Sequence, residues 1–321
     1  MRFEHDVFLR ALAGYGEGHD DAFVVSADLG DSCELGGFRE RFPERYVDLG
    51  LSEQNAVSWA AGLAREGLRP IVCTFGVFLY RRALDQIEMS VAASGLPVTL
   101  VGFVPGISTP RGIAHQAVND VGVLRTVPGL TILDVGDASE ARQALEAARS
   151  CDGPVYVRML RGEVPSFLPA DTPYEVGSVR ELAAGEDVLL LSSSVCTAEA
   201  LRAADAIRAR GVSLRHVHVP CAKPLDGGLL AELASSCRHG VVTFENHQVT
   251  GGLGSTVAEA LAERGVARRL VRLGLRDTYA RSGSMPYLMR SFGLDALALV
   301  EAVELLAGRP LGVSEEDLLP A

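Results

Sequence analysis

Asp48-Leu-Gly-Leu-Ser-Glu-Gln-Asn55, running directly into Ala56-Val-Ser-Trp-Ala-Ala-Gly-Leu-Ala-Arg65, places one carboxylate at the start of an alanine-rich helix. The residues Tyr46-Val-Asp48 read as the strand ahead of it, so Glu53 falls in a first helical turn at a strand end, with apolar residues behind it. An acid there can simply complement the positive end of the helix dipole. It can also be the acid that drives a cofactor, and the choice depends on what else converges on it.

Outward from this stretch, short β-branched runs alternate with helical patterns, which predicts an α/β protein with parallel sheets covered by helices, in two doubly wound domains. The first series of strands is expected at 22–26, 69–74, 97–103, 130–134 and 155–159, with helices near 53–66, 77–94, 116–126 and 138–150. The scattered prolines and glycines from Gly162 to Gly185 break the pattern. This predicts a first domain over 1–162, a linker over 163–186 and a smaller α/β domain over 187–311, its strands near 188–191, 214–219, 241–244 and 270–273 and an amphipathic helix after Ala296.

Composition narrows the chemistry. With 321 residues, 48% apolar and 22% charged, the chain is long enough for two cores and too apolar for extensive disorder. A net charge of -11 argues against nucleic acid, which needs a basic surface. Cysteines 33, 73, 151, 196, 221 and 237 have no zinc spacing and read as reduced thiols. The charged start and the lack of a long apolar run predict a cytoplasmic protein with no membrane partner. Lys223 is the single lysine, in a proline-bearing turn, which disfavours Schiff-base chemistry.

Open parallel sheets bind ligands beyond the carboxyl ends of their strands. Asp28, Glu53, Phe75, Phe78 and His115 all follow strand candidates, so a carboxylate, an aromatic pair and a histidine can share a crevice. Arg158 ends the last strand of the first domain and is a candidate for a substrate anion or a surface acid. His216 and His218 lack a third ligand and read as structural, and no metal-ligand set is expected. Gly251-Gly-Leu-Gly-Ser-Thr256 reads as a tight turn rather than a phosphate loop.

Taken in order, Ser26-Ala-Asp-Leu29, Leu51-Ser-Glu-Gln-Asn-Ala56, Thr74-Phe-Gly-Val-Phe78, Arg82-Ala-Leu-Asp-Gln-Ile87, Gly112-Ile-Ala-His-Gln116, Leu124-Arg-Thr-Val-Pro128 and Val157-Arg-Met-Leu-Arg161 resemble the thiamine-diphosphate-binding transketolase family, including deoxyxylulose-phosphate synthase. Thr243-Phe-Glu-Asn-His-Gln-Val-Thr-Gly-Gly-Leu-Gly254 is similar to that family's C-terminal domain. The resemblance implies a pyrimidine-binding domain followed by a transketolase C-terminal-like domain. It implies that Glu53 contacts pyrimidine N1′, that Phe78, with Phe75 as alternate, stacks on the ring, and that Asp28 lines the same wall. His115 handles protons at the reacting centre and Arg158 meets a substrate anion.

No Gly-Asp-Gly segment of the kind that holds the metal and diphosphate is found in the sequence. The chain therefore looks like the β-type subunit of a split enzyme, whose N-terminal partner supplies the Mg²⁺ and diphosphate site, in an α2β2 assembly. The reaction implied is transfer of a two-carbon unit from a ketose or 2-oxo acid to an aldehyde acceptor. Members that use sugar phosphates commonly carry an acid before the glycine of the histidine loop, where this chain has Arg111, which implies a substrate with an extra anionic group. The rival readings are the β subunit of a 2-oxo acid dehydrogenase and a non-catalytic regulatory subunit.

Overall fold

The computed structural model describes residues 2–319. Its strands are β1 (Arg2–Glu4), β2 (Ala22–Ser26), β3 (Tyr46–Asp48), β4 (Arg69–Phe75), β5 (Thr99–Phe103), β6 (Thr131–Asp134), β7 (Val155–Met159) and β8 (Val164–Ser166). The second half adds β9 (Arg180–Ala183), β10 (Val188–Ser192), β11 (Leu214–His218), β12 (Cys221–Lys223), β13 (Gly240–Gln248) and β14 (Leu270–Leu275).

The first sheet has the order β12-β6-β7-β5-β4-β2-β3, with β2 to β7 parallel. Such a sheet is covered on both faces, so its strands read as continuous apolar runs rather than alternations. Every residue of β7 is buried, as is every residue of β10 in the second sheet. From β2 the chain moves to β3 on one side and then crosses to β4 on the other, so the strand order reverses there. Such a switch point opens a crevice at the carboxyl ends of the strands.

The second sheet runs β14-β13-β10-β11-β9, parallel except for β9. The halves are interleaved: β12 leaves the second half to pair antiparallel with β6 at the edge of the first sheet. There Lys223 Nζ donates to the carbonyls of Arg125 and Val127, and burial pushes its amine down.

Two expected helices differ in the structure, and the segment read as a linker carries strands of its own. The segment 163–186 is ordered: β8 pairs with β1, β9 joins the second sheet, and the Asp137 carboxylate accepts from the Phe167 and Leu168 amides. Proline suits such edge positions, where the missing N–H costs no ladder bond. The expected helix 77–94 is broken into Gly76–Arg82, Leu84–Gln86, a wide π turn over Ile87–Val91 and a final 3-10 turn. The expected helix 116–126 shrinks to Asp120–Leu124, because residues 104–118 form an irregular loop that bonds both to itself and to the second domain.

Candidate active site

The helix Glu53–Arg65 buries Glu53, Ala56, Val57, Ala60, Ala61 and Ala64, a stripe at helical spacing that seats it against the sheet. Gly67, with φ of +89°, ends it. Glu53 is only 3% exposed. Carboxylates are rarely buried to that degree without a partner, and the partner is Arg82, whose Nη1 stands 2.6 Å from Glu53 Oε1.

Arg82 comes from the short helix after β4. Gly76 opens that helix, and a Cβ there would lie 2.8 Å from the Tyr156 hydroxyl, so glycine lets the turn press onto the sheet. One turn on, the Arg82 guanidinium lies over the Phe78 ring, 4.2 Å from its centroid. Phe75 is buried and stacks on Phe78 at 5.8 Å. His115 meets Phe78 edge-on at 5.5 Å and Phe75 at 6.1 Å.

Glu53, Phe75, Phe78 and His115 thus converge, with Arg82 binding the carboxylate and covering the Phe78 face at once. His115 Nδ1 is buried without a hydrogen-bond partner. Burial, then the positive charges of Arg111 and Arg82, push the imidazole below its ordinary pKa, so it stands neutral at pH 7. Arg111 is exposed, on the same loop.

Asp28 lies two residues past β2 in a left-handed conformation, φ 60°, and is exposed. Its amide donates to Asp48 Oδ1 at 3.0 Å, and no hydrogen bond or ion pair joins its carboxylate to Glu53, Arg82 or His115 among the described residues. Sequence reasoning overlooked Asp48, the hub of this wall. It also accepts from Gly50 N at 2.9 Å and Ser26 Oγ at 2.8 Å. Burial pushes its carboxyl up, but these donors outweigh it and hold the group below its usual range. Its Asp-x-Gly spacing, which favours a turn closed on the aspartate, was the available signal.

The expectation for Arg158 is corrected. Arg158 is 1% exposed, its Nε and Nη1 each 2.9 Å from Asp120 and Asp134, while Nη2 donates to the Asn246 carbonyl. Burial pushes its pKa down, but the carboxylates of Asp120 and Asp134 outweigh this and raise it. Bonded through all three of its nitrogens and 1% exposed, the guanidinium is enclosed in the core rather than presented at the surface.

Elsewhere, His216 bonds Ser192, and His218 bonds Thr197 and the Glu140 carboxylate of the first domain, a buried chain between domains. Gly251 and Gly252 form the turn into the helix Leu253–Glu263, whose first amides are taken by Glu245.

A buried acid, an aromatic face and a histidine with a free ring nitrogen fit the pyrimidine half of thiamine diphosphate. Among the described residues no group of three or more His, Cys, Asp or Glu could hold a metal ion. The residues thus fit the pyrimidine half of the cofactor.

Residues 5–166 match the family described as "Transketolase, pyrimidine binding domain", and residues 177–299 match "Transketolase, C-terminal domain". A transketolase family protein of Sinorhizobium fredii, y4mN, is 40% identical over 92% of this chain and 87% of its own. The 6-deoxy-6-sulfo-D-fructose transketolase subunit SqwH of a Clostridium species is 36% identical over 92% of each. A solved structure described as "Split gene transketolase, inactive beta4 tetramer" superposes with a TM-score of 0.84 at 34% identity, covering 94% of this chain and 97% of that one. With both domain types in order, and similarity along nearly the whole length of these relatives, this chain belongs to the transketolase family.

Proposed function

We propose that the chain is the pyrimidine-binding half of a thiamine-diphosphate-dependent transferase that moves a two-carbon unit from a ketose or 2-oxo acid to an aldehyde acceptor. The observation that carries this is the convergence of buried Glu53, the Phe78 ring and neutral His115. The partner holds Mg²⁺ and the diphosphate. The description of the split-gene homologue's β tetramer as inactive supports a chain that turns over only with its partner.

When bound, the cofactor supplies the nucleophilic carbon and the electron sink that two-carbon transfer needs. Glu53 holds a proton at the pyrimidine nitrogen, in a site dry enough to strengthen that bond. Phe78 gives the ring a flat apolar seat. His115, held neutral, takes and returns a substrate hydroxyl proton. Arg111 places a cation beside it and favours a substrate with an extra anionic group. SqwH, whose name specifies a sulfonated ketose, supports that class.

Calorimetry with thiamine diphosphate and Mg²⁺, on the chain alone and mixed with the protein encoded beside it, tests the reading. Binding only in the mixture is expected. Tight binding by the chain alone, or full activity of a Glu53→Gln complex where a loss of about 10²- to 10⁴-fold is expected, would overturn it. A normal rate with xylulose 5-phosphate would sink the extra-anion proposal.

A further inference from the structure

The loop between β5 and the helix Asp120–Leu124 carries Arg111 and His115. Its backbone turns left-handed at Val104, Gly106 and Gly112, with φ of 53°, 57° and 73°, and only at the valine is that a strain. A valine in that region persists only where its surroundings over-determine it.

The surroundings belong to the second domain. Asn246, fully buried in β13, accepts from the Ile107 amide at 2.9 Å through Oδ1 and donates to the Pro105 carbonyl at 3.1 Å through Nδ2. Its own carbonyl takes the Arg158 guanidinium. Farther along, Gly283 N donates to the Pro110 carbonyl at 3.2 Å, Gln116 Nε2 to the Arg281 carbonyl at 3.3 Å, and Gln248 N to the Val118 carbonyl at 2.8 Å. Gly122 N donates to His247 Nε2 at 3.1 Å.

The backbones approach too closely for side chains between them. A Cβ on Gly106 would stand 2.2 Å from Asn246 Oδ1, and one on Gly112 would stand 2.7 Å from Ser282 Oγ. By contrast, Glu53 and Phe78 rest on Arg82, Phe75 and His115 of the first domain.

We propose that the second domain serves as a template for the histidine loop, and that Asn246 is the positioning residue that sets where His115 stands. The catalytic consequence rests on the reading of His115 as the proton-handling group. The positional one stands on the loop alone. Loss of the template relaxes the loop toward solvent and lets His115 drift from the Phe75 and Phe78 edges, while the carboxylate and aromatic seat keep their places.

Asn246→Ala and Gln116→Leu test this at opposite ends of the loop. In the full chain alone, amide exchange over 105–118 is expected to quicken about 10-fold or more, and the His115 titration, assigned by NMR against His115→Gln, to rise toward the ordinary histidine value. In the reconstituted complex, kcat is expected to fall about 10- to 100-fold, with cofactor affinity within about 2-fold. If Asn246→Ala does not fold, Gln116→Leu decides. Folded variants with unchanged exchange and titration would overturn the proposal, and so would equal losses in kcat and cofactor affinity. Altered loop behaviour in a chain whose wild-type complex shows no transferase activity would leave the template standing and remove the enzymatic reading instead.

Discussion

At the scale of single residues, Arg82 holds the site's two recognition surfaces together. Its guanidinium bonds Glu53 and covers Phe78, so a pyrimidine ring has to displace it from both. A cation on an exposed aromatic face gains about 0.5–1 kcal/mol. Arg82→Met is therefore expected to tighten thiamine-diphosphate binding by the reconstituted complex about 2- to 5-fold, as read by calorimetry. The same change removes one of the two cations that depress His115. The acid limb of the pH–rate profile, which falls where the imidazole gains its proton, is expected to move to higher pH. Glu53 and His115 were legible as candidates because they follow strands. The Arg82 contacts were not, because nothing in the order of residues tells which of two neighbouring arginines turns inward.

At the scale of elements, the glycine turn at 251–252 shows how one helix start is satisfied from within. Glu245 Oε2 and Oε1 accept from the Leu253 and Gly254 amides at 2.7 and 2.8 Å, and burial pushes the carboxyl up to about 7 even though these donors pull it down. Glu245→Ala is expected to leave both amides unpaired and cost about 1–3 kcal/mol in urea denaturation. The helix Glu53–Arg65 was readable in full because its apolar stripe is periodic and its stop is a glycine. The segments 77–94 and 116–126 were not, since their backbones answer to neighbours far away in the chain.

At the scale of the whole molecule, the two domains are locked by buried charge. Arg158→Leu strands the Asp120 and Asp134 carboxylates and is expected to destabilise the chain by about 3–5 kcal/mol. Thermal unfolding checks this, and an Arg158 that instead touched substrate would raise KM in a chain of unchanged stability. Acid stability reports the same core. Burial lowers His216 to about 3 and His247 to about 4, so each is neutral in the fold and binds a proton on unfolding as pH falls below 6.5. Glu245 has the opposite sign: it is protonated in the fold and charged when unfolded between 4.5 and about 7. Among these three groups the two histidines outweigh Glu245 from pH 6.5 to 4.5, and together they are expected to contribute a loss of about 1.4 kcal/mol per unit of acidification. His216→Leu is expected to flatten that slope in urea titrations at stepped pH.

The sequence by itself determined the alternation of strands and helices, two successive α/β units and the candidates Glu53, Phe78 and His115, because each rests on local periodicity or on a strand-end position. Only the tertiary structure decided that Arg158 is enclosed rather than offered to a ligand, that β12 crosses back to the first sheet, and that Asn246 holds the histidine loop. Those outcomes depend on which buried polar groups find partners 24 to 141 residues away or across a sheet edge. The search for such partners is settled by packing, where an unpaired charge or amide costs several times what a local propensity can supply.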